Sequence, residues 1–170
     1  MVCVSLFYIS IKRNLISSGD FNLSKYNAIL VDLDGTLCNV EHRVHHVKSK
    51  PKNWKAFNEA MDQDESYFWC IELIAAMKAR GYKVYFVTGR DENFRAMTDA
   101  WLKRHNVLHD GLYMRAVNDF REDSDVKEEL YKKEIESHAQ VLFVVDDRKS
   151  VVERWRKMGL TCLQCAPGDF

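Results

Sequence analysis

The sequence predicts an α/β fold, in which helices flank a central parallel sheet. Short apolar segments alternate with segments of helical periodicity along residues 25–170. This alternation is typical of sheets whose strands are joined by helical crossovers. The segments 28–31, 82–87 and 141–145 are nearly continuous apolar runs. Such runs indicate strands that are buried on both faces, as in parallel sheets.

The elements follow in a regular order. The predicted strands are 28–31, 82–87, 112–115, 141–145 and 161–164, and the predicted helices are 54–61, 67–80, 92–104, 125–136 and one that ends at 158. Gly81 is suited to the C-terminal end of the helix 67–80, and Asp91 is suited to cap the helix 92–104. Phe94, Met97 and Trp101 recur at helical spacing, which predicts that they face the core.

Length and charge limit the classes of function. A chain of 170 residues with 46% hydrophobic residues is suited to one globular domain with a proper core. Basic and acidic residues both number 25, so no overall positive field attracts the protein to nucleic acid. Any contact with a polyanion must therefore be local.

The N-terminal region and the cysteines bear on location. Residues 1–11 are apolar, but they are fewer than the ~20 residues that span a bilayer, and no basic residue precedes them as in a signal peptide. Five cysteines without a convincing secretory signal favour reduced thiols and a cytoplasmic location. We expect no membrane association. Residues 1–24 are interpreted as an N-terminal extension of unclear role, and residues 25–170 as the functional domain.

Two carboxylates follow the first predicted strand. Asp32 and Asp34 lie two residues apart, so on an extended backbone they point the same way. Gly35 allows a sharp turn directly after them. One carboxylate can then attack phosphorus while the other transfers the proton of the leaving group, although acidic residues also open ordinary loops.

Further polar residues follow the later strands. Thr-Gly-Arg at 88–90 follows the strand 82–87, Asp-Asp-Arg at 146–148 follows the strand 141–145, and Lys127 lies near the start of a charged helix. Open α/β sheets bind ligands at the carboxyl ends of their strands. We therefore expect a carboxylate pair, a hydroxyl, an ammonium and a second acidic pair to meet there.

These motifs, in this order, resemble those of the haloacid dehalogenase superfamily of phosphotransferases. More narrowly, the chain is similar to the 3′-phosphatase domain of phage-type polynucleotide kinase/phosphatases. The narrower resemblance depends on Arg43, on Asp123 with Lys127, and on a C-terminal run. That run comprises Val-Asp-Asp-Arg at 145–148, Val-Val-Glu-x-Trp-Arg at 151–156 and Gly-Asp-Phe at 168–170. The resemblance implies a Rossmann-like fold with a small cap-like insertion after the first strand.

The resemblance also implies roles for the residues. Asp32 would be the nucleophile that forms an aspartyl-phosphate, and Asp34 the general acid and then the general base. Thr88 would donate a hydrogen bond to the transferred phosphoryl group and Lys127 would neutralise it. The substrate-binding residues would be Arg43, Thr88, Gly89, Arg90, Asp123 and Lys127. Of these, Asp123 is expected to hold the basic groups of the site in place.

Mg²⁺ is the expected cofactor, because it prefers hard oxygen ligands and commonly takes one or two carboxylates with substrate phosphate. By resemblance, the ion would be contacted by Asp32, by Asp146 and by the backbone carbonyl of Asp34. Asp147 would lie further from the ion. His42, His45 and His46 cluster in the insertion, but no cysteine or carboxylate stands at a typical zinc spacing. Polar loop contacts are expected for these histidines.

The insertion favours a nucleotide substrate. Five basic residues and one acidic residue occur in 41–55, namely Arg43, Lys48, Lys50, Lys52, Lys55 and Glu41. Trp54 offers a face on which a base can stack, and the guanidinium groups of Arg43 and Arg90 suit phosphate contacts. The expected substrate is a phosphorylated nucleic-acid end, most specifically a 3′-phosphate. A free nucleotide or another small phosphometabolite is the alternative.

Other classes of function fit the sequence less well than hydrolysis does. No glycine is followed by lysine, so this chain lacks the phosphate loop of a kinase and would work with a separate kinase or ligase. A phospho-accepting receiver domain uses similar groups, but its acidic pair comes first in the chain. A binding module without activity would be expected to have lost Asp32, Asp34 or Lys127. The sequence leaves the oligomeric state open.

Overall fold

A five-stranded parallel sheet lies at the centre of the described part of the protein. The computed structural model describes residues 25–48 and 50–168. The predicted extension 1–24 and the final Asp169 and Phe170 lie outside the described residues. None of the helices within these ranges is both long and apolar enough to cross a bilayer.

The strands and helices have the following bounds. The strands are β1 Ala28–Val31, β2 Cys38–Asn39, β3 Glu65–Ser66, β4 Lys83–Asp91, β5 Gly111–Arg115, β6 Val141–Asp146 and β7 Cys162–Gln164. The α-helices are α1 Glu41–Lys48, α2 Trp54–Glu59, α3 Phe68–Ala79, α4 Arg95–Arg104, α5 Asp123–Glu134 and α6 Lys149–Lys157. Within the described ranges, 3₁₀ turns cover Met61–Gln63 and Glu92–Phe94.

The sheet has the strand order β5-β4-β1-β6-β7, with β1 in the middle. Every neighbouring pair is parallel. Leu30 of β1 lies beside Tyr85 of β4 and Val144 of β6. The carboxyl ends of β1, β4 and β6 therefore meet at one edge of the sheet, as the sequence predicted.

The core has one layer on each face of the sheet. Ile29 of β1 belongs to a cluster that includes Ile74 of α3 and Trp101 of α4. Leu30 belongs to a second cluster, which includes Trp155 of α6. Because successive residues of a strand point to opposite faces, both faces of β1 are buried, and the prediction of an α/β sheet flanked by helices is confirmed.

The segment predicted as one helix over 92–104 is divided in the structure. Residues Glu92–Phe94 form a 3₁₀ turn, and the α-helix begins only at Arg95. A 3₁₀ turn has three residues per turn rather than 3.6, so the two parts do not share one face. Thr98, Trp101 and Leu102 are buried, whereas Phe94 and Met97 are only partly buried.

The strand predicted at 82–87 is longer than expected. β4 continues through Thr88, Gly89 and Arg90 to Asp91, and its register with β5 shifts between Thr88 and Asp91. The Thr-Gly-Arg segment therefore belongs to an irregular strand end rather than to a loop. This irregularity places the segment at the edge of the sheet where β1 and β6 also end.

The insertion after β1 forms a small cap. β2 and β3 pair antiparallel, with Cys38 beside Ser66, and α1, α2 and a 3₁₀ turn lie between them in the chain. The cap has its own apolar cluster of Val40, Val44, Val47 and Phe57. The basic segment of the insertion is helical over Glu41–Lys48, with its two valines, Val44 and Val47, buried in the cluster with Phe57 rather than exposed.

Candidate active site

The turn after β1 brings the first carboxylate pair to the edge of the sheet. The carbonyl oxygen of Leu33 accepts hydrogen bonds from the backbone N–H groups of Leu37 and Cys38, at 2.9 and 2.7 Å. Gly35 has a φ of +87°, and a Cβ atom there would lie 2.2 Å from Oδ2 of Asp147. Glycine is thus required both for the turn and for the close approach of that carboxylate.

Lys127 of α5 connects the ends of β1 and β6. Its Nζ lies 2.8 Å from Oδ1 of Asp32, 2.9 Å from Oδ2 of Asp146 and 3.4 Å from Oδ2 of Asp123. The lysine is only 2% exposed. A buried ammonium shared by three carboxylates fixes the relative positions of all four groups.

The protonation of this cluster reflects an excess of negative charge. Burial raises the pKa of Asp32 well above its ordinary range, since the opposing effect of Lys127 is offset by Asp146 and Asp147. Burial and Asp146 raise the pKa of Asp147 to about 6. Burial would lower the pKa of Lys127, but Asp123, Asp146 and Asp32 raise it above its usual value, so the lysine is positively charged at neutral pH.

The same cluster is suited to a cation. Carboxylate oxygens of Asp32, Asp146 and Asp147 all lie within 4.8 Å of one another, and all three residues are buried. Beside these three carboxylates, Lys127 supplies one positive charge, so a divalent ion would relieve the repulsion that remains among them. Three hard oxygen donors fit Mg²⁺. The order of contact inferred from the resemblance, with Asp146 nearer than Asp147, stays a prediction.

The Thr-Gly-Arg segment of β4 approaches α5. Thr88 is buried, and a Cβ atom on Gly89 would lie 2.3 Å from Oδ1 of Asp123. Arg115 of β5 donates from Nη2 to that same Oδ1 at 3.1 Å and from Nε to the carbonyl of Gly89 at 3.0 Å. Asp123 thus lies between Arg115 and Lys127, which fits the predicted role of holding basic groups in place.

Arg43 and Arg90 are buried beside the second carboxylate. Both guanidinium groups donate from Nη2 to Oδ1 of Asp34 at 2.6 Å. Both also donate to Asp64, which accepts from Nε of Arg43 at 2.6 Å and from Nη2 of Arg90 at 3.0 Å. Arg43 is fully buried, so its charge is not part of the basic surface that the sequence predicted for the insertion.

Asp64 is a site residue that sequence reasoning missed. Its side chain is fully buried, and Nε2 of His42 lies 2.8 Å from its Oδ1. Its backbone carbonyl accepts from Nε1 of Trp101 at 2.8 Å. Asp62, two residues earlier, is half-exposed. Nothing in the local sequence separates the two aspartates, since the distinction depends on which one the cap turns inward.

The two arginines control the charge of Asp34. Burial would raise the pKa of Asp34, but Arg90 and Arg43 overcome this effect and hold the pKa well below its usual range. Carboxylate oxygens of Asp34 and Asp64 also lie close to Cys38. Since burial raises the pKa of that thiol and the two guanidinium groups already neutralise the carboxylates, this group has no need of a metal ion.

The remaining polar residues of the insertion have structural surroundings. His45 and His46 contact each other, with ring centroids 3.9 Å apart. The groups of described side chains that are able to hold a metal include none of the three histidines. The expectation of polar contacts is met by His42, which contacts Asp64 from α1 rather than from a loop.

A pocket of about 480 Å³ opens above these groups. Most of the predicted catalytic and binding residues line it: Asp32, Asp34, Thr88, Gly89, Arg90, Asp123, Lys127 and Asp147. Arg43 and Asp146 contact lining residues from behind. The cap contributes Lys52, Trp54 and Asn58 to the lining, the end of β5 contributes Arg115, and the segment before α5 contributes Phe120 and Arg121. The exposed rings of Trp54 and Phe120 mark the mouth of the pocket.

Comparisons with known proteins agree with this arrangement. The family model described as the polynucleotide kinase PNKP phosphatase domain matches residues 26–170. A chain of the "Structure of Pnkp1/Rnl/Hen1 complex" is 33% identical, with a TM-score of 0.75, over 94% of this chain and 52% of that chain. A chain of the "Structure of the Pnkp1/Rnl/Hen1 RNA repair complex" is 32% identical, with a TM-score of 0.76, over 97% and 54% of the two chains.

More distant structures share the fold alone. A class C acid phosphatase from Bacillus anthracis with tungstate bound is 15% identical, with a TM-score of 0.61, over 97% of this chain and 74% of that chain. The present chain spans about half the length of the first two matching chains. The match to the family model covers nearly all of the described residues, and it fits the carboxylates that meet in the pocket. The chain therefore belongs to the PNKP phosphatase domain family, whose members are phosphatases of the haloacid dehalogenase superfamily.

Proposed function

We propose that this phosphatase depends on Mg²⁺ and removes 3′-phosphate from polynucleotide ends through an aspartyl-phosphate on Asp32. The observation that carries the proposal is the contact of Lys127 with Asp32 in the wall of a pocket and with Asp146 behind that wall, at 2.8 and 2.9 Å. This contact orients a carboxylate at the place where a phosphate can enter.

Asp32, Asp146 and Asp147 are the residues that would hold Mg²⁺. Their oxygens converge within 4.8 Å, and hard oxygen ligands favour this ion. The bound ion would offset the negative charge of the carboxylates and of the substrate phosphate. The backbone carbonyl of Asp34 is assigned as a further ligand by resemblance.

The chemistry divides into two displacements. In the first, a carboxylate oxygen of Asp32 forms a bond to phosphorus, the bond between phosphorus and the sugar oxygen breaks, and that oxygen takes a proton from Asp34. In the second, water attacks the aspartyl-phosphate, Asp34 takes a proton from the water, and inorganic phosphate leaves. Arg90 and Arg43 lower the pKa of Asp34 in the free protein, so the proton that Asp34 gives to the sugar oxygen arrives with the substrate as its monoanion. The negative charge of the bound phosphate favours that proton on Asp34.

Lys127 and Thr88 stabilise the transferred group. The transition state of phosphoryl transfer is rich in charge, so positioned cations and hydrogen-bond donors supply much of the catalysis. Lys127 is held by three carboxylates, and Thr88 is buried at the pocket wall. Both groups are thus positioned before the substrate arrives, which reduces the reorganisation needed during the reaction.

A polynucleotide end is favoured over a small metabolite by the mouth of the pocket. Lys52, Arg121 and Arg148 line the pocket in addition to the catalytic groups, and such cations suit a phosphodiester backbone. One of the matching structures is of an RNA repair complex. We accordingly propose that the present chain works with a separate kinase or ligase, and the cytoplasmic location stays a prediction.

A substrate panel tests the proposal. The purified protein is offered 3′-phosphorylated oligonucleotide, 5′-phosphorylated oligonucleotide and free nucleoside monophosphates, and released phosphate is measured with Mg²⁺ and after treatment with EDTA. We expect the 3′-phosphorylated strand to be preferred, activity to be lost in EDTA and restored by Mg²⁺, and Asp32→Asn to be inactive. Preference for monomers would favour the alternative of a nucleotidase, and full activity of Asp32→Asn would refute the assigned nucleophile.

A further inference from the structure

Two exposed aromatic side chains stand at the mouth of the catalytic pocket. Trp54, the first residue of α2, is 45% exposed, and Phe120, which precedes α5, is 92% exposed. Both line the same cavity as Asp32 and Lys127. Single exposed apolar residues are common on protein surfaces, so a role for these two must follow from how they are held.

The backbone around Phe120 is fixed by one arginine. Nη1 of Arg115 donates to the carbonyl oxygens of Asp119 and Arg121, the two neighbours of Phe120, at 3.1 and 2.8 Å. The same guanidinium group donates to the carbonyl of Gly89 and to Asp123. Phe120 therefore projects into water from a segment that is tied directly to the catalytic residues of β4 and α5.

Trp54 is held just as firmly on the cap. The side chain of Asn53 caps α2 by accepting from the backbone N–H of Ala56 at 3.0 Å. The ring of Trp54 contacts Phe57 edge to face, with 5.7 Å between ring centroids, and Phe57 packs on the guanidinium group of Arg43 at 4.1 Å. The indole ring is thus connected through Phe57 to the arginine that binds Asp34.

A cation accompanies the tryptophan. Nζ of Lys52 lies 5.1 Å from the centroid of the Trp54 ring, and both residues line the pocket. Proteins that bind single-stranded nucleic acid combine aromatic rings, on which bases stack, with cations that contact the backbone. The cavity of about 480 Å³ is within the range of about 300–1,000 Å³ usual for small-ligand sites.

We infer that Trp54 and Phe120 form a nucleobase-binding subsite, with Lys52 contacting the next backbone phosphate, so that the enzyme recognises the unpaired terminal nucleotide of a phosphorylated strand. This inference rests on the proposed function and identifies the terminal base as the part of the substrate that the subsite binds. Because the ring of Trp54 and the backbone on both sides of Phe120 are held before binding, less conformational entropy is lost when a base stacks there. The aromatic faces tolerate any base, so the subsite requires a base without selecting its identity.

The test compares two oligonucleotides that both end in a 3′-phosphate. One carries a base on the terminal sugar and the other is abasic at that position. We expect the wild-type value of kcat/KM to be about 5- to 150-fold higher for the strand with the base, the range typical of stacking on one aromatic group. The variants Trp54→Ala and Phe120→Ala should reduce this ratio through a higher KM for the base-bearing strand.

Two other exposed aromatic residues supply matched controls. Trp69 is 44% exposed and Phe68 is 73% exposed, and neither is among the residues that line the catalytic pocket. Trp69→Ala and Phe68→Ala should keep the wild-type ratio. Circular dichroism of all four variants verifies that each is folded, so that a change in KM is not a consequence of unfolding.

A binding measurement separates recognition from chemistry. The Asp32→Asn variant and the double variant Asp32→Asn/Trp54→Ala are each titrated into a fluorescein-labelled oligonucleotide with a 3′-phosphate. Fluorescence anisotropy measures the binding of each protein. We expect weaker binding in the double variant by a factor similar to the change in KM. Equal hydrolysis of the base-bearing and abasic strands would overturn the inference and leave the proposed function standing. Hydrolysis of neither strand would overturn both.

Discussion

Replacement of Asp64 by alanine removes the carboxylate that joins Arg43 to Arg90. In the wild-type protein, these two guanidinium groups are balanced by Asp34 and Asp64, and Asp64 is bound at 2.6 Å by Arg43 and at 3.0 Å by Arg90. The side chains of Asp64 and of both arginines are fully buried. The variant therefore leaves two buried positive charges with Asp34 as their remaining partner in this network.

The expected loss of stability is large. Removal of one partner from a buried ion pair lowers the free energy of unfolding by about 3–5 kcal/mol, and domains are usually stable by only about 5–15 kcal/mol. Asp64→Asn should lose less, because the amide oxygen still accepts a hydrogen bond. Urea denaturation followed by circular dichroism measures these differences.

Asp62→Ala is the matched control. Asp62 lies two residues away in the chain, and its pair with Arg104, at 2.9 Å, is half-exposed on both sides. Exposed pairs contribute at most about 1 kcal/mol. If Asp64→Ala destabilises the protein no more than Asp62→Ala does, the buried network is not a main source of stability and the reasoning is refuted.

Activity gives a second measure of the same substitution. Asp64 does not line the pocket, so it acts by positioning the arginines that bind Asp34. A shift of about 1 Å in a catalytic group lowers the rate about 100-fold. We expect kcat to fall by this order for Asp64→Ala at a temperature where it is folded, with KM little changed. A rise in KM at constant kcat would contradict the positioning role.

Two further predictions concern other parts of the fold. Gly35 and Gly81 have nearly equal φ values of +87° and +86°, but of these two only Gly35 faces a carboxylate, that of Asp147. Gly35→Ala should therefore abolish phosphatase activity. Gly81→Ala should lose only about 1 kcal/mol of stability and keep its activity. Partial burial would raise the pKa of Asp110, but hydrogen bonds from Lys78 and a backbone N–H lower it below its ordinary value of 3.8. The stabilisation by Asp110 should thus be complete above pH 3.8 and should disappear as the pH falls through the lowered pKa. We expect the wild type and Asp110→Asn to differ by about 1 kcal/mol in free energy of unfolding at pH 7 and to be equally stable in acid. A difference in urea midpoint that persists in acid would contradict this account.

The sequence was most informative where strands end. Asp32 and Thr88 directly follow apolar runs, and Asp147 is the second residue after another; the structure brings all three to one pocket. The reason is geometric, because parallel strands place their carboxyl ends at the same edge. Lys127 was expected at the site because of its place among the other motifs and by resemblance, since a charged helix gives no internal sign that one of its lysines is buried.

The cap was predicted less well. Its histidines were expected to make polar contacts from a loop, yet residues Glu41–Lys48 form a helix whose valines are buried in the cluster with Phe57. Arg43 was expected to contact substrate phosphate, and the structure surrounds it with Asp34 and Asp64. Burial of a charged side chain depends on partners 9 and 21 residues away, and local patterns carry no information on such distant contacts.

By itself, the sequence determined the order of the five strands of the central sheet and of the helices between them, the α/β class and the carboxylates that reach the edge of the sheet. These features follow from local periodicity and from the fixed direction of side chains along a strand. Only the tertiary structure decided that Asp64 is buried and Asp62 exposed, and that Phe120 projects from a segment fixed by Arg115. The free-energy cost of burying a charge depends on partners that folding brings from distant parts of the chain. The same holds for the position of an exposed ring such as Phe120, because distant residues fix the backbone that carries it.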